Sequence, residues 1–147
     1  MFKHILLPTD GSERSELAIG KGIEMARQLG AHVTALHVSP TYPLIAYVDW
    51  GPIDPLTEER FQLEAKQRAE TYLNNVSKAA KQAGVACATE MHSSDHPWEA
   101  IIQVAKEKQC DLIFMASHGR RGLAGLLMGS ETNKVLTHTD IPVLVWR

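Results

Sequence analysis

The fold is decided by the stretch His4-Ile5-Leu6-Leu7-Pro8, which runs directly into Thr9-Asp10-Gly11-Ser12. Its apolar residues follow one another without polar alternation, which is typical of a strand buried on both faces in a parallel sheet beneath helices. The polar turn behind the strand ends at Ser12, and serine is a good N-cap for a helix. The stretch therefore predicts a strand, a turn and a helix in immediate succession, the repeating unit of an α/β protein.

Four more apolar runs alternate with helical patterns along the rest of the chain. The runs cover residues 32–38, 85–91, 112–116 and 141–146, and the helical patterns cover residues 12–29, 56–83, 97 onward and 130–139. Gly30 is placed to end the first helix, and Pro97 suits the first position of the third. This alternation predicts an α/β fold with a doubly wound parallel sheet of five strands and helices on both faces. The weakest strand, 85–91, is expected at an edge, and strands 4–8 and 112–116 are expected at the centre.

The composition limits what the protein does. The chain has 147 residues, of which 44% are hydrophobic and 22% charged, and its formal net charge is −2. These values fit a single domain over residues 1–147 and argue against a protein that mainly binds nucleic acid or an anionic membrane. Cys87 and Cys110 form no metal-ligand or redox pattern, so we interpret both as small buried hydrophobic residues in a reducing compartment. The apolar run at the amino terminus is too short for a signal peptide, and no stretch reaches the ~20 apolar residues of a membrane helix, so we expect a cytoplasmic protein.

Two segments are placed where open parallel sheets bind ligands, beyond the carboxyl ends of central strands. One is the turn at residues 8–12, and the other is the segment 116–130, which contains Gly119, Gly122, Gly125 and Gly129 together with Arg120 and Arg121. A glycine-rich backbone that leads into a helix start at Ser130 favours binding of an anion such as phosphate, because it exposes N–H groups. The same glycine spacing is also compatible with close helix packing, and the basic pair with solvated surface.

Asp10 and the pair Ser117-His118 each allow more than one interpretation. Asp10 is suited to hold a base, a ribose or the water shell of Mg²⁺, which we favour, or to act as the N-cap of the first helix. A serine hydrolase is not expected, because neighbouring residues in an extended segment point apart and a nucleophile needs its base within reach. The sequence also lacks GxxxxGK[ST], GxGxxG, GxSxG and any metal-ligand pattern of histidines.

Residues 39–55 form a long connection that fits none of the regular elements. It contains four prolines and three large aromatic residues, namely Pro40, Pro43, Pro52, Pro55, Tyr42, Tyr47 and Trp50. Long connections in compact domains are usually functional or disordered, and this one is rich in aromatic residues. We expect it to cover a ligand or a partner surface, and the alternative is an ordered loop that packs on the sheet.

The whole chain resembles the universal stress protein family. The matching stretches are Ile5-Leu6-Leu7-Pro8-Thr9-Asp10-Gly11-Ser12, Ala35-Leu36-His37-Val38, Asp111-Leu112-Ile113-Phe114-Met115-Ala116-Ser117-His118-Gly119, Gly129-Ser130 and Ile141-Pro142-Val143-Leu144-Val145. The resemblance implies the strand order 3-2-1-4-5 in a Rossmann-like fold similar to that of the adenine nucleotide alpha hydrolases. Only the region from residue 42 to about residue 61 is not anchored by matching residues, and this region varies within the family.

One branch of this family binds ATP through the motif Gly-x2-Gly-x9-Gly-Ser/Thr, and the other branch lacks the motif. Here Gly119 is followed by nine residues and then by Gly129-Ser130, whereas Ala116 stands at the first glycine position. The extra methyl group is expected to crowd the ligand and to weaken binding without abolishing it. The resemblance thus implies the ATP-binding branch, and the alternative is a dimeric interaction module that binds no nucleotide.

The resemblance implies three groups of contacts with ATP. The adenine and ribose end is expected against Pro8, Thr9, Asp10 and the backbone of Val38. The ribose and the first phosphate are expected against Ala116, His118 and Gly119, and the outer phosphates against Gly129, Ser130, Glu131 and Thr132. The resemblance further implies Mg²⁺ or Mn²⁺ bound through the phosphates, a role in stress response and at most slow ATP hydrolysis.

The last strand, 141–146, predicts a homodimer. It is strongly apolar and is expected at an edge of the sheet, where an exposed apolar strand invites pairing with another chain. Two copies would pair their last strands antiparallel about a two-fold axis, and the family resemblance implies the same interface. Pairing is expected to centre on residues 143–145 because Pro142 lacks an N–H group. The alternative is that residues 39–55 of the same copy cover this edge.

Overall fold

Five parallel strands form one sheet in the structure, a computed structural model that describes residues 1–42, 55–118 and 128–147. The strands are β1 (His4–Thr9), β2 (His32–Ser39), β3 (Cys87–Ser93), β4 (Leu112–Ala116) and β5 (Val143–Trp146). Their order across the sheet is β3-β2-β1-β4-β5, and every neighbouring pair is parallel. The predicted fold class, strand order, edge position of β3 and inner positions of β1 and β4 are therefore confirmed.

Four helices cover the two faces of the sheet. They are α1 (Glu13–Leu29), α2 (Pro55–Gln82), α3 (Pro97–Glu107) and α4 (Ser130–His138). Side chains of α1 and α2 pack with Ile5 and Leu7 in one buried cluster, while α3 and α4 pack with Leu6 and Ile113 in another. Successive residues of β1 therefore point into opposite clusters, which explains why its sequence is continuously apolar. None of the helices in the described ranges is long and apolar enough to cross a membrane.

Helices α1, α2 and α3 end in the same hydrogen-bonded turn and pass almost directly into a strand. In α1 the N–H groups of Gly30 and Ala31 donate to the carbonyls of Arg27 and Ala26, at 3.3 and 2.9 Å, with Gly30 at φ +63°. These two hydrogen bonds satisfy backbone carbonyls that the end of a helix leaves unpaired. The prediction that Gly30 ends the first helix is confirmed.

The third and fifth strands both begin two residues later than expected, since β5 runs over Val143–Trp146 and not 141–146, and the same turn explains the shift of the third. The third strand was expected at residues 85–91, but β3 begins two residues later, at Cys87. Val85 is buried, yet its N–H donates to the carbonyl of Ala80 at 2.9 Å and so closes the end of α2. Its apolar side chain belongs to the helix cap and not to the strand.

The two cysteines have different environments. Cys110 is buried, and burial together with the nearby Asp111 carboxylate raises the pKa of its thiol to about 11. Cys87 is only half-buried, so the expectation of two buried cysteines is wrong for it, although burial raises the pKa of this thiol also. Both are free thiols, and a raised pKa keeps each in its unreactive protonated form.

Candidate functional site

The turn between β1 and α1 is held by its own side chains. Thr9 Oγ1 accepts hydrogen bonds from the N–H of Gly11 and from the hydroxyl of Ser15, both at 3.1 Å. Asp10 Oδ1 accepts the N–H of Ser12 at 3.0 Å, and the hydroxyl of Ser12 accepts the N–H of Ser15 at 3.2 Å. Ser12 is therefore the N-cap of α1, as predicted, and the alternative in which Asp10 is the cap is wrong.

Gly11 allows α2 to close over this turn. Its φ is +73°, a conformation that residues with a side chain rarely adopt. A β-carbon at this position would lie 2.3 Å from Cε1 of Tyr72, which reaches the turn from α2. Gly11 is thus required both for the backbone angle and for the close approach of the tyrosine ring.

His37 stabilises the turn after β1, a role that was not predicted from the sequence. Its Nδ1 donates to the carbonyl of Thr9 at 2.8 Å from a buried position, and its ring meets the Tyr72 ring edge-on at 5.2 Å. The bond forms because the register of β1 and β2 sets Thr9 beside His37. That register was unknown from the sequence, so the resemblance offered only Val38, the next residue, which is half-buried at the same edge.

The end of β4 is joined to the start of α4 by two hydrogen bonds. The N–H of Gly129 donates to the carbonyl of Ser117 at 2.7 Å, and the hydroxyl of Thr132 donates to the carbonyl of Ala116 at 3.0 Å. Leu6 of β1 pairs with Ile113 of β4. When this register is continued for three residues, Thr9 lies beside Ala116. The turn after β1 and the start of α4 therefore lie side by side at the carboxyl edge of the sheet.

Gly129 packs closely against the segment that follows β4. A β-carbon on Gly129 would lie 3.1 Å from the carbonyl oxygen of Ser117 and 3.3 Å from Cα of His118. Its φ of −69° is open to any residue, so the requirement is for space and not for an unusual backbone angle. Because its own N–H is already bonded to Ser117, Gly129 positions the start of α4 instead of offering a donor to a ligand.

The first turn of α4 has unused donors. Gly129 stands at the N-cap position without a side chain to accept a hydrogen bond, and the first bond within the helix runs from Asn133 to Gly129. The backbone N–H groups of Ser130, Glu131 and Thr132 consequently have no acceptor among the described residues. Three adjacent donors and the positive end of a helix dipole thus face the carboxyl edge of the sheet.

The side chains of Glu131 and Thr132 in this turn form contacts within the protein. Glu131 Oε2 accepts the N–H of Trp98 at 2.9 Å and so caps α3, while Oε1 lies 3.3 Å from Nζ of Lys134. Thr132 is 2% exposed, and its hydroxyl is bonded to β4 as described above. Ser130 is exposed, and the Glu131 side chain is 39% exposed but engaged at both carboxylate oxygens. The groups of Glu131 and Thr132 that have no partner among the described residues are their backbone N–H groups.

Ser117 and His118 contradict the expectation that neighbouring side chains point apart. Ser117 Oγ lies 3.2 Å from Nδ1 of His118, and both residues are buried. The two bond because the strand ends at Ala116, so the period-two alternation no longer applies to them. Nε2 of the same histidine is buried and has no hydrogen-bond partner among the described residues.

The structure brings ten of the eleven residues expected at the site to the carboxyl edge of the sheet. These are Pro8, Thr9, Asp10, Val38, Ala116, His118, Gly129, Ser130, Glu131 and Thr132. Gly119 lies outside the described residues, as do Arg120 and Arg121 and most of the connection 39–55. The described residues also contain no group of three or more His, Cys, Asp or Glu side chains that could hold a metal ion.

Fold and site together define a class of protein, an α/β domain whose candidate ligand cleft lies where the strand order of its sheet reverses. The family model described as the universal stress protein family matches residues 1–147. The chain belongs to the universal stress protein family, and the resemblance found in the sequence is confirmed.

Several known proteins are similar to this chain over its full length. Universal stress protein MJ0531 of Methanocaldococcus jannaschii is 36% identical over 148 residues, which cover 99% of this chain and 82% of that protein. Universal stress protein YxiE of Bacillus subtilis is 30% identical over 154 residues that cover both proteins completely. The solved structure of protein MJ0577 of Methanocaldococcus jannaschii matches with a TM-score of 0.83 and 28% identity, covering 99% of this chain and 95% of that one.

Proposed function

We propose that this universal stress protein binds ATP at the carboxyl ends of β1 and β4 and acts in stress response. The observation that carries the proposal is the first turn of α4, where the N–H groups of Ser130, Glu131 and Thr132 have no acceptor among the described residues. A phosphate group satisfies several such donors at once, and the helix dipole adds to the attraction. The triphosphate is therefore assigned to this turn.

The other end of the cleft suits a nucleoside. Pro8 and Val38 are half-buried at the carboxyl edge and offer apolar surface to a flat base. Asp10, also half-buried, places a carboxylate beside them, and a carboxylate accepts hydrogen bonds from ribose hydroxyls. The adenine and ribose are assigned to this side, next to β1 and β2.

Solved structures of the same fold support a nucleotide ligand. A universal stress protein in complex with cAMP matches this chain with a TM-score of 0.72 at 21% identity. A universal stress protein from Archaeoglobus fulgidus in complex with dAMP matches with a TM-score of 0.67 at 19% identity. At these identities the likeness is one of fold, so these structures indicate that the fold accommodates adenine nucleotides.

The metal ion of the proposal depends on the nucleotide. Since the described residues hold no cluster of three ligating side chains, Mg²⁺ or Mn²⁺ takes its ligands mainly from phosphate oxygens and water. This fits the usual behaviour of Mg²⁺, which retains several waters and is bound largely through substrate phosphates.

The substitution Ser130→Pro tests the phosphate assignment without disturbing the helix. Proline is well tolerated at the first position of a helix, and Gly129 already has the extended ψ of 155° that a residue before proline requires. The change removes one unused donor, so the Kd for Mg·ATP should rise about 10- to 100-fold, as expected for loss of a charge-assisted hydrogen bond of about 1.5–3 kcal/mol.

The matched control is Glu13→Pro at the first position of α1. There the preceding residue, Ser12, has the same ψ of 155° and keeps its own capping bond to Ser15. Titration calorimetry of both variants should show the loss for Ser130→Pro alone. Equal affinities of the two variants and the wild type for Mg·ATP would contradict the assignment of the phosphates to the first turn of α4.

We also propose a homodimer formed through β5 of a cytoplasmic protein. Residues 143–145 are only partly buried and Trp146 is 38% exposed, although all four residues of β5 are apolar. Phe114 stacks on Trp146 at 6.4 Å from one side, while Nζ of Lys21 lies 5.8 Å from the ring. A second copy paired along β5 would cover the rest of this surface.

A dimeric interaction module without nucleotide is the second candidate function. It is favoured by Ala116, which stands where the ATP-binding motif has its first glycine and which contributes its methyl group to the edge of the buried cluster beneath α1. The two functions differ in the calorimetric titration, since the module gives no heat with millimolar Mg·ATP while it still dimerises.

A further inference from the structure

The outer edge of β3 carries backbone groups that have no partner among the described residues. The N–H of Val33 in β2 donates to the carbonyl of Ala86, and the N–H of Ser94 donates back to β2, so the even-numbered residues direct their backbone groups towards β2. Backbone groups alternate in direction along a strand, and those of the odd-numbered residues therefore point outward. The outward residues are Cys87, Thr89, Met91 and Ser93.

This edge lacks the features that usually prevent strands from pairing between chains. Such features are proline or lysine residues, β-bulges and covering segments. Residues 87–93 contain neither proline nor lysine, and their register with β2 is continuous, which excludes a bulge. Thr89 and Ser93 are exposed, as is Met91 at 42%, so helix α2 leaves the edge accessible. The edge is thus able to accept an extended strand.

The sequence around Met91 is complementary to its own reverse. Residues 89–93 are Thr-Glu-Met-His-Ser. If two copies pair their β3 strands antiparallel about a two-fold axis at Met91, Thr89 lies opposite Ser93 of the second copy. Glu90 then lies opposite His92 of the second copy, where the imidazole donates a hydrogen bond to the carboxylate. Both cross-strand pairs occur twice because of the symmetry, and pairs of this kind stabilise antiparallel strands.

The backbone favours the same register. Thr89, Met91 and Ser93 all point outward, so each meets an outward residue of the second copy and exchanges two hydrogen bonds with it. Glu90 and His92 occupy the positions between them, where opposite side chains of an antiparallel pair lie closest. An axis at Glu90 would instead set two carboxylates opposite each other, which destabilises a strand pair.

The Glu90 side chain is held on the face where His92 of the second copy would arrive. Its Oε1 lies 2.5 Å from Nζ of Lys108 at the end of α3, while Oε2 has no partner among the described residues. His92 is half-buried on the same face, because side chains two residues apart in a strand point to the same side. A carboxylate oxygen and an imidazole ring are therefore available for the cross-strand contact.

We propose that the free edge of β3 is an interface for a second copy of this chain, paired antiparallel with the two-fold axis at Met91. The proposal does not depend on the nucleotide site, and β3 lies at the opposite edge of the sheet from β5. Where both edges pair, the sheets of successive copies continue into one another. Met91 is the only large apolar residue among residues 87–93, so we expect weak association, with a Kd of about 0.1–1 mM that leaves this edge open in dilute protein.

Disulfide crosslinking tests the register directly in a Cys87→Ser background, which removes the free thiol of the same strand. Met91→Cys should form a disulfide-linked dimer under mild oxidation, since the residues paired at the axis have Cα atoms about 5.5 Å apart. Thr89→Cys is the matched control, because its two copies would lie about 14 Å apart. Thr89→Cys mixed with Ser93→Cys should crosslink again. No crosslink with Met91→Cys, or one equally strong with Thr89→Cys alone, would overturn the proposal.

An exchange of the Glu90 and His92 side chains tests the interface in solution. The variant Val143→Asp with Val145→Asp serves as the background, so that only pairing through β3 is measured. His92→Glu sets a like charge opposite Glu90 of the second copy and should raise the Kd about 5- to 10-fold in sedimentation equilibrium at millimolar protein. Adding Glu90→His exchanges the two side chains and should restore the original Kd.

The outcomes distinguish this interface from the proposed β5 dimer. Association of the background variant that His92→Glu weakens and the exchange restores supports pairing through β3, whether or not β5 pairs. A background variant that stays monomeric at millimolar concentration, or whose association ignores both changes, contradicts the proposal and leaves the proposed nucleotide site untouched.

Discussion

Ala116 is the residue at which this chain departs from the nucleotide-binding pattern of its family. Its carbonyl accepts the hydroxyl of Thr132 at 3.0 Å, and its half-buried side chain packs against the cluster beneath α1. The residue thus contributes to the site through its backbone, and a glycine would keep that contact. The methyl group therefore affects only packing and the space left for a ligand.

The substitution Ala116→Gly should leave ATP affinity unchanged or increase it, because it restores the first glycine of the motif and keeps the carbonyl that binds Thr132. It should also lower the free energy of unfolding by about 0.5–1 kcal/mol, since glycine within a strand loses more conformational freedom on folding. Calorimetry measures the first effect and urea denaturation the second. A marked loss of affinity would show that position 116 has been misinterpreted.

Residue-level roles were predicted from the sequence only where they depend on local structure. The N-cap role of Ser12 follows from its place before an apolar helical pattern, and the structure confirms it. The contacts of Gly129 with Ser117 and of His37 with Thr9 join residues that are distant in sequence, so they depend on strand register and loop return. The substitution Gly129→Val should disturb the fold itself, because a β-carbon there would lie 3.1 Å from the carbonyl oxygen of Ser117.

The recurring element of this fold is the turn that ends α1, α2 and α3. Gly30 and Gly84 take the left-handed position in the first two turns, with φ of +63° and +71°. The third turn has Gln109 there, at φ +57°, with its N–H bonded to Lys106 and the N–H of Cys110 bonded to Ala105. The sequence pattern predicted the turn at Gly30, whereas it gave no signal for the glutamine.

The substitution Gln109→Gly should stabilise the protein by about 0.5 kcal/mol, because the left-handed penalty of about 1–2 kcal/mol exceeds the entropy that glycine adds to the unfolded chain. Gln109 is exposed and its side chain makes no hydrogen bond in the described structure, so no contact is lost. Gly84→Gln is the reverse control, in open space, and should destabilise the protein. Equal urea midpoints for the two variants would contradict this account of the helix ends.

The amino edge of the sheet contains a pair of histidines. The rings of His4 and His32 lie 4.0 Å apart, and Nε2 of His4 bonds the Thr34 hydroxyl at 2.7 Å. Burial lowers the pKa of His4 and the His32 charge lowers it further, while a hydrogen bond to the Lys108 backbone and the Asp111 carboxylate act in the opposite direction. Protonation of His4 is therefore less favourable in the folded protein than in the unfolded chain.

Stability should accordingly fall as the pH drops below the unfolded histidine value of about 6.5 towards the lowered pKa of folded His4. Since the unfolded state binds the proton more readily in this window, the free energy of unfolding decreases with acidification. Urea midpoints at pH 7.5 and 5.5 measure the effect, and His4→Gln should reduce the difference. The same difference in that variant would exclude His4 as a source.

At the scale of the whole molecule, sheet order and helix placement were both predicted correctly. The continuous apolar run 4–8 indicated a strand between two helical layers, and β1 does lie between the clusters of α1 with α2 and of α3 with α4. The order 3-2-1-4-5 came from the family resemblance. The apolar character of a run indicates whether its strand lies at the edge or the centre of the sheet, but it does not indicate which strands are its neighbours. Dimerisation is a property of the whole molecule that stays a prediction.

Charged residues on β5 should dissociate the proposed dimer. Replacing Val143 and Val145, both partly buried, by aspartate places two like charges on each paired strand and repels the second copy. Sedimentation velocity should then show a monomer, whereas the wild type should show a dimer. Leu63→Asp is the control, an apolar residue of α2 that is 55% exposed and whose helix packs on the opposite half of the sheet. A wild type that remains monomeric at high concentration would contradict the interface.

The most direct test of the central claim is an amide ¹H–¹⁵N titration of the wild-type protein with Mg·ATP. Saturable shifts should concentrate at Thr9 to Gly11 and at the first-turn amides of Ser130, Glu131 and Thr132, whose donors the structure leaves unused among the described residues. His32, at the amino edge of the sheet, should not respond. Spectra that stay unchanged at millimolar Mg·ATP, or shifts confined to another surface, would contradict the proposed nucleotide site.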